Sequence, residues 1–328
     1  MKQWQEFAAK DSTVLSSSNF ICEAADIGLI LVNGEDARDF LQNQLSNDIN
    51  QIDEDHFQFS SYSTPKGRML GVFRVIQISN GYLLITRRSM VQLLLETLFH
   101  YIVQSRVTLA DASDYFVRIA LQTDVPEIQE HSLLPGQFGS TIHNDSLVSL
   151  KLESVGEQSR YLLLCLSADE AVILWKEFSD HLSAASNQSW SLSEIKAGVP
   201  SISPQTSKEF VLQMANLYDL DGVSFKKGCY PGQEIVARMQ YLGKLKRRMF
   251  LAELETTQLP LPGDDLVSEG KQAPDGSGKF VDAQFDENGV CHCLYIAQIQ
   301  KAESGALQWL GHPEVTIRNK DLPYSLKN

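Results

Sequence analysis

The sequence has no apolar run approaching the ~18 residues of a membrane-spanning helix, so no membrane association is expected. Its opening stretch, Met1-Lys2-Gln3-Trp4-Gln5-Glu6, is polar and lacks the apolar segment of a secretory signal. Cysteine is sparse and odd in number: Cys22, Cys165, Cys229, Cys291 and Cys293 are the five in 328 residues. That argues against a disulfide framework and for a reducing, cytoplasmic setting. A P-loop, a glycine-rich dinucleotide fingerprint and a nucleophile elbow are all missing, which removes the commonest nucleotide-binding and serine-hydrolase readings. The seven histidines are scattered singly rather than at metal-ligand spacing. No internal repeat or low-complexity tract stands out.

What is present is an ordinary globular composition, 43% hydrophobic and 21% charged, in a length that fits two or three domains. The net charge of −13 weighs against a general nucleic-acid coat protein. Its distribution is uneven. Between Lys226 and Arg248 there are seven basic residues and one acid, a local charge of +6 on a remainder of −19. Arg238, Lys244, Lys246, Arg247 and Arg248 carry most of it. Such a feature suits an anionic partner, an RNA backbone or a polycarboxylate tail, and suits equally a solvated strand edge guarded by cations.

The same segment opens with the most informative eight residues of the chain, Lys227-Gly228-Cys229-Tyr230-Pro231-Gly232-Gln233-Glu234. One thiol sits in a turn bracketed by glycine and proline, where glycine lets a ligand approach the backbone closely. Pro231 suits the first position of a helix and Glu234 falls near its third, where a carboxylate favours the unpaired amides. Cys229 thus precedes a helix start beside Lys226 and Lys227, two influences that lower a thiol pKa. The competing reading is a small, half-buried turn residue.

Strands alternate with helices over the first two thirds, in an α+β pattern rather than a doubly wound one. Residues 26–34 read as a strand ending in Asn33-Gly34. A short helix follows, with Phe40, Leu41 and Leu45 on one face. Met69 to Ile78 and Tyr82 to Thr86 flank Asn80-Gly81, a hairpin signal. Ser89 is placed to cap a helix carrying Val91, Leu94, Leu95 and Leu98. Further strands are expected at about Tyr115–Gln122 and Tyr161–Leu166, and a helix from Asp169 to His181. From about 245 onward, Met249–Leu254, Lys279–Phe285, Val290–Gln300 and Val315–Arg318 read as short strands with no helical period, a small β-barrel or sandwich.

Cys291-His292-Cys293 lies in an apparent strand, so its thiols share one face and His292 takes the other, which favours core cysteines over a metal site. The turn Thr64-Pro65-Lys66-Gly67-Arg68-Met69 offers two cations to an anion or is a plain hairpin entry. Trp190, ahead of Ala197-Gly198-Val199-Pro200, reads as a core anchor, with a stacking surface for a flat heterocycle as the alternative.

Lys227 to Glu234 resembles the signature of the YgfZ family of bacterial folate-binding proteins, relatives of the glycine-cleavage T-protein. Gly222-Val223-Ser224-Phe225-Lys226, Val236-Ala237-Arg238, Phe40-Leu41-Gln42-Asn43-Gln44, Lys66-Gly67-Arg68-Met69, Ala197-Gly198-Val199-Pro200 and Leu322-Pro323-Tyr324-Ser325-Leu326 extend the likeness over nearly the whole chain. The resemblance implies a T-protein-like, multi-domain folate-binding ring. Residues 1–244 would form the folate module, as two interleaved α+β subdomains, and 245–328 a C-terminal β-barrel. It implies tetrahydrofolate or a derivative as cofactor. It also implies a cytoplasmic role supporting iron–sulfur enzymes, including one that modifies tRNA, with direct tRNA contact open. By the same resemblance Cys229 is the motif cysteine, with Lys227, Gly228, Tyr230, Gly232, Gln233 and Glu234 around it. Trp190 matches a folate-binding tryptophan, and the second such position falls on Ile27, which has no ring to stack. The paired aspartates of T-proteins are replaced by Gly71 and Val72, and Lys196 stands where relatives commonly carry a glutamate. A glycine-cleavage aminomethyltransferase is therefore not expected. A folate-dependent one-carbon transferase and a folate-sensing scaffold without chemistry remain the alternatives.

Overall fold

The computed structural model describes Trp4, residues 14–16 and residues 18–327; of the polar opening stretch Met1–Glu6 only Trp4 is among them. The chain forms two compact units, each assembled from separate segments. The first comprises Met1–Phe40, Asn50–Gln58 and Arg74–Ser193, and the second Leu41–Ile49, Phe59–Phe73 and Glu194–Asn328.

The first unit contains a six-stranded sheet in the order Ser183–Ala184, Phe20–Glu23, Val117–Thr123, Gln158–Cys165, Leu147–Val155, Thr141–His143. Its first pair is parallel and the rest antiparallel. Side chains alternate across a strand. One face of this sheet therefore presents Ile21, Ile119, Leu121, Tyr161, Leu163 and Cys165 to a buried core. Ala168–Ser179 covers that face. Ser167 caps this helix, with its hydroxyl accepting from Glu170 N, and Asp169 and Glu170 favour its positive end. Ala171, Leu174, Trp175 and Phe178, at helical spacing, are its buried stripe. On the opposite face of the sheet, register sets Arg160 directly across from Gln122.

In the same unit Ile27–Asn33 pairs with Gly81–Arg87 and with Thr108–Asp111. Gly81–Arg87 in turn pairs with the second half of Met69–Ile78 around the expected Asn80-Gly81 turn. Ser89 does not cap the next helix. It is exposed in a 3₁₀ turn, Arg88–Met90, and the helix Val91–Phe99 begins beyond it without a side-chain cap, because this register buries Met90 and Val91.

The second unit contains an antiparallel six-stranded sheet, in the order Leu307–Trp309, Asp265–Ser268, Gly278–Phe285, Cys291–Gln298, Arg247–Leu254, Ile317–Lys320. It is curled into a half-barrel around Phe250, Phe280, Tyr295 and Trp309. The strand expected to reach Gln300 ends at Gln298, and a short helix, Ile299–Glu303, follows. The rest of the second unit includes the helix Gln233–Leu242 and an irregular stretch before it, interrupted by a 3₁₀ turn at Leu212–Ala215. No described helix is long and apolar enough to cross a membrane.

Candidate functional site

The loop that presents Cys229 is held from below by Lys227. This lysine is 8% exposed, and its ammonium donates to the carbonyls of Gln42 (2.6 Å), Leu45 (2.6 Å) and Asn47 (3.0 Å). Those carbonyls end the helix Ala37–Gln44 and begin the turn after it, where carbonyls lack intrahelical donors. One cation therefore satisfies three acceptors. Burial pulls the Lys227 pKa down to about 8, with Asp48 opposing the shift. The ammonium also lies 5.2 Å from the centre of the Tyr230 ring. Tyr230 is buried, its pKa is raised by desolvation, and its hydroxyl has no hydrogen-bond partner among the described residues.

Around this lysine the turn is tied by serines and asparagine. Ser46 Oγ donates to Gly222 O (2.7 Å) and accepts from Ser61 N (2.8 Å). Asn47 Nδ2 donates to Phe59 O (2.8 Å) and Asp221 O (2.7 Å). These short polar side chains gave no signal as a site in the sequence, since each looks like ordinary turn chemistry. The network exists only once segments some 175 residues apart meet.

Gly232 has φ +84° and caps the helix Gln233–Leu242. A Cβ there would lie 2.5 Å from Gly67 Cα and 2.7 Å from Thr64 O, so two glycines of different segments are in backbone contact. The Thr64–Met69 turn, treated in the sequence as a separate candidate, thus buttresses the motif. Its Arg68 guanidinium is engaged with Glu209 O. The helix starts later than expected: Pro231 precedes the cap instead of occupying the first position, and Glu234 is the second helical residue. The left-handed Gly232 separates Pro231 from the helix. Cys229 is exposed on this framework, so the half-buried alternative does not hold. Gly228 differs from Gly232: its φ is not left-handed, and a Cβ there would meet nothing within 4 Å.

The helix Gln233–Leu242 turns Val236 inward and leaves Glu234, Ile235, Arg238, Tyr241 and Leu242 exposed. The cationic segment is divided by the fold. Arg238, Lys244 and Lys246 are exposed. Arg247 instead donates to Gly276 O, and Arg248 pairs with Glu303 at 2.9 Å. Two of the five cations in the expected patch thereby serve the half-barrel.

In the first unit, Trp190 lies in the helix Asn187–Lys196 and is 2% exposed. The Arg160 guanidinium sits 4.5 Å from its ring centre, so in this conformation the indole offers no open face for stacking. Arg160 is itself fully buried. Its Nε donates to Ser193 Oγ (2.5 Å), and its Nη1 to Glu153 O (3.1 Å). Glu153 pairs with Arg74 at 2.9 Å, and Ser193 donates to Gln122. Within this cluster Trp190 Nε1 and Glu153 Oε1 have no hydrogen-bond partner among the described residues. Buried polar atoms normally find one. The sequence reading missed Arg160, Glu153 and Arg74. The available signal was Arg160 itself, a charge on the strand face it shares with Leu162 and Leu164. Ile27 is a buried strand residue at 8% exposure, and Lys196 is half-buried in the last helical turn.

Cys291 and Cys293 are in the half-barrel core, where burial pushes the Cys291 thiol up to about 12 and Cys293 up as well. His292 points the other way and meets Asp286 at 3.1 Å. Cys22 and Cys165 are buried too, and Cys165 is pushed up to about 12. Cys229 is the exposed thiol.

No family model matches the chain. Curated proteins similar to it include the tRNA-modifying protein YgfZ of Colwellia psychrerythraea, 33% identical over 321 residues that make up 94% of each chain. The tRNA-modifying protein YgfZ of Photobacterium profundum is 28% identical over 301 residues, 92% of this chain and 90% of that one. Its counterpart in Escherichia coli O127:H6 is 29% identical over 304 residues, 92% of each. Among solved structures, the glycine cleavage system aminomethyltransferase T from Bartonella henselae matches with a TM-score of 0.73, over 95% of this chain and 87% of that chain, at 14% identity. The fold is therefore that of the aminomethyltransferase T-protein. The level and extent of sequence identity place the chain in the YgfZ family.

Proposed function

We propose that this chain acts in tRNA modification as a folate-binding accessory protein that presents Cys229 as a reactive thiol and supports iron–sulfur enzymes. The observation that carries the reading is the contrast at the motif: a loop pinned by Lys227 and by the Gly232–Gly67 contact displays one exposed cysteine. A thiolate is both a nucleophile and a soft metal ligand, so such a group suits acceptance of a transferred sulfur or one-carbon species, or transient cluster ligation. Open space at Gly228 leaves room for a partner to reach the backbone beside the thiol. Arg238, Lys244 and Lys246 are the exposed cations available to an RNA phosphate or a polyglutamate tail.

For folate, the orphaned polar atoms are the test of fit. A pterin edge carries donors and acceptors that would satisfy Trp190 Nε1 and Glu153 Oε1, and both belong to a cluster rich in buried charge. Trp190 would then act through its N–H rather than its covered ring face, and Ile27 would supply apolar contact alone. When bound, a reduced folate supplies a carrier for a one-carbon unit. With Gly71 and Val72 in a buried strand, no carboxylate stands where a T-protein has its paired aspartates, and aminomethyl transfer is not proposed.

Tryptophan-fluorescence titration with tetrahydrofolate tests this part of the reading. Saturable quenching in the wild type, weakened at least several-fold in Trp190→Phe and altered in Lys196→Glu, is the expected result. Absence of saturation up to millimolar folate would remove the cofactor from the account.

A further inference from the structure

A cavity of about 180 Å³ lies beside the buried face of the helix Gln233–Leu242, lined among others by Gln213, Tyr218, Asp219, Met239, Gly243 and Lys327. It is smaller than the roughly 300–1,000 Å³ of drug-sized sites and suits one flat heterocycle. Gln213 is 4% exposed. Its Nε2 donates to Val236 O (2.7 Å), which fixes the amide orientation because a carbonyl can only accept. The other end, Oε1, is buried without a hydrogen-bond partner among the described residues. Asp219 has Oδ1 occupied by the Lys327 backbone N–H (2.6 Å), leaving Oδ2 as an acceptor. The Lys327 ammonium is committed to Asp221 and to Tyr218 O. The cavity therefore contributes two acceptors, with its nearest cation already engaged.

Among nucleobases, only guanine presents two adjacent donors, N1–H and N2–H, on its Watson–Crick edge. Adenine and cytosine set one amino donor beside an acceptor nitrogen, which would face an oxygen here. Uracil brings a single N–H between two carbonyls. Burial raises the Asp219 pKa, so a donor-rich partner also relieves that carboxylate. Gly243 lines the cavity, and the exposed Lys244 and Lys246 follow it directly in the chain.

We propose that this cavity takes a splayed-out guanine of an RNA, with N1–H and N2–H donating to Gln213 Oε1 and Asp219 Oδ2 and with Lys244 and Lys246 on the flanking phosphates. Single-stranded RNA is commonly read this way, by unstacked bases held along their Watson–Crick edges. Tyr218 lines the cavity with the Lys327 ammonium 5.2 Å from its ring centre. The inference rests on the tRNA part of the proposed function and names how the RNA is recognised.

Calorimetric titration of the full chain with guanosine, inosine and adenosine 5′-monophosphates tests it. Inosine retains N1–H and lacks the 2-amino group. The expected order is guanosine strongest, inosine about tenfold weaker for one lost hydrogen bond, and adenosine weaker still. Met239→Trp, which fills the cavity, should abolish guanosine binding with an unchanged melting temperature. Asp219→Asn, at a half-exposed position that still offers Oδ1 to Lys327, should weaken binding about tenfold and covers the case in which the tryptophan variant misfolds. Equal affinity for guanosine and adenosine, or guanosine binding unaffected by both variants, overturns the inference. Filter binding of bulk tRNA separates the two layers. If tRNA binds and weakens with Lys244→Glu and Lys246→Glu while no mononucleotide binds, the pocket is wrong and the RNA reading survives. Guanosine-selective binding without tRNA binding overturns the RNA assignment and leaves a site for a free guanine nucleotide.

Discussion

Replacing Lys227 with methionine keeps an unbranched side chain one atom shorter and removes its three hydrogen bonds. The carbonyls of Gln42, Leu45 and Asn47 would each lose a donor at 2.6–3.0 Å. A hydrogen bond involving a charged group contributes about 1.5–3 kcal/mol, and a buried acceptor left unsatisfied costs about 1–3 kcal/mol. Against this, the variant no longer buries an ammonium, whose cost is expressed in a pKa drawn down to about 8. Balancing these opposed contributions, we expect a net loss of about 3 kcal/mol, at the lower end of what breaking a buried charged contact costs. Urea denaturation should show a lower midpoint at unchanged slope, since the surface exposed on unfolding is the same. The pH dependence adds a signature. Between about 8 and the ordinary lysine value of 10.5 the unfolded chain holds the proton that the folded chain has released. Wild-type stability therefore gains from this group as pH rises through that window. Methionine has no such gain, so the deficit should widen from pH 8 to pH 10. A loss under about 1 kcal/mol, or a deficit that narrows over that range, would refute the argument that Lys227 is the internal pin of the motif.

Gly232→Ala should be severely destabilising, because φ +84° and a 2.5 Å approach to Gly67 Cα leave no room for a methyl group, whereas Gly228→Ala should stay within about 0.5 kcal/mol of wild type. Thermal melts of the two variants compare them directly, and equal effects would contradict the geometry. Alkylation of the native protein with iodoacetamide near pH 8, followed by peptide mass spectrometry, should label Cys229 while Cys22, Cys165, Cys291 and Cys293 remain unmodified until unfolding.

Local periodicity carried much of this fold into view. The Asn80-Gly81 hairpin, the Ala168–Ser179 helix and the C-terminal strands are set by alternation, capping and turn residues that act over short distances. Ser89 shows where such signals fail: a good cap residue was displaced because burial of Met90 and Val91 outweighed it. At the candidate site the motif singled out Cys229, which is exposed, without distinguishing the roles of the two lysines before it. Lys226 and Lys227 look alike in sequence. Lys226 is exposed, whereas Lys227 turns into carbonyls more than 180 residues away, which no local pattern encodes. The same holds for Arg247 and Arg248, whose charges are committed to Gly276 and Glu303 in the half-barrel. Trp190 was singled out, but its covering partner, Arg160, belongs to a strand that otherwise reads as apolar.

The most direct test of the central claim is a mass-spectrometric inventory of modified nucleosides in tRNA. The source would be cells lacking the chromosomal copy and supplied with wild-type or Cys229→Ala protein at equal abundance. The account predicts restoration by the wild type and none by Cys229→Ala, with matching melting temperatures for the two proteins because the thiol is exposed. Full restoration by the alanine variant would contradict it and reduce the motif to a rigid scaffold whose thiol has no part in the function.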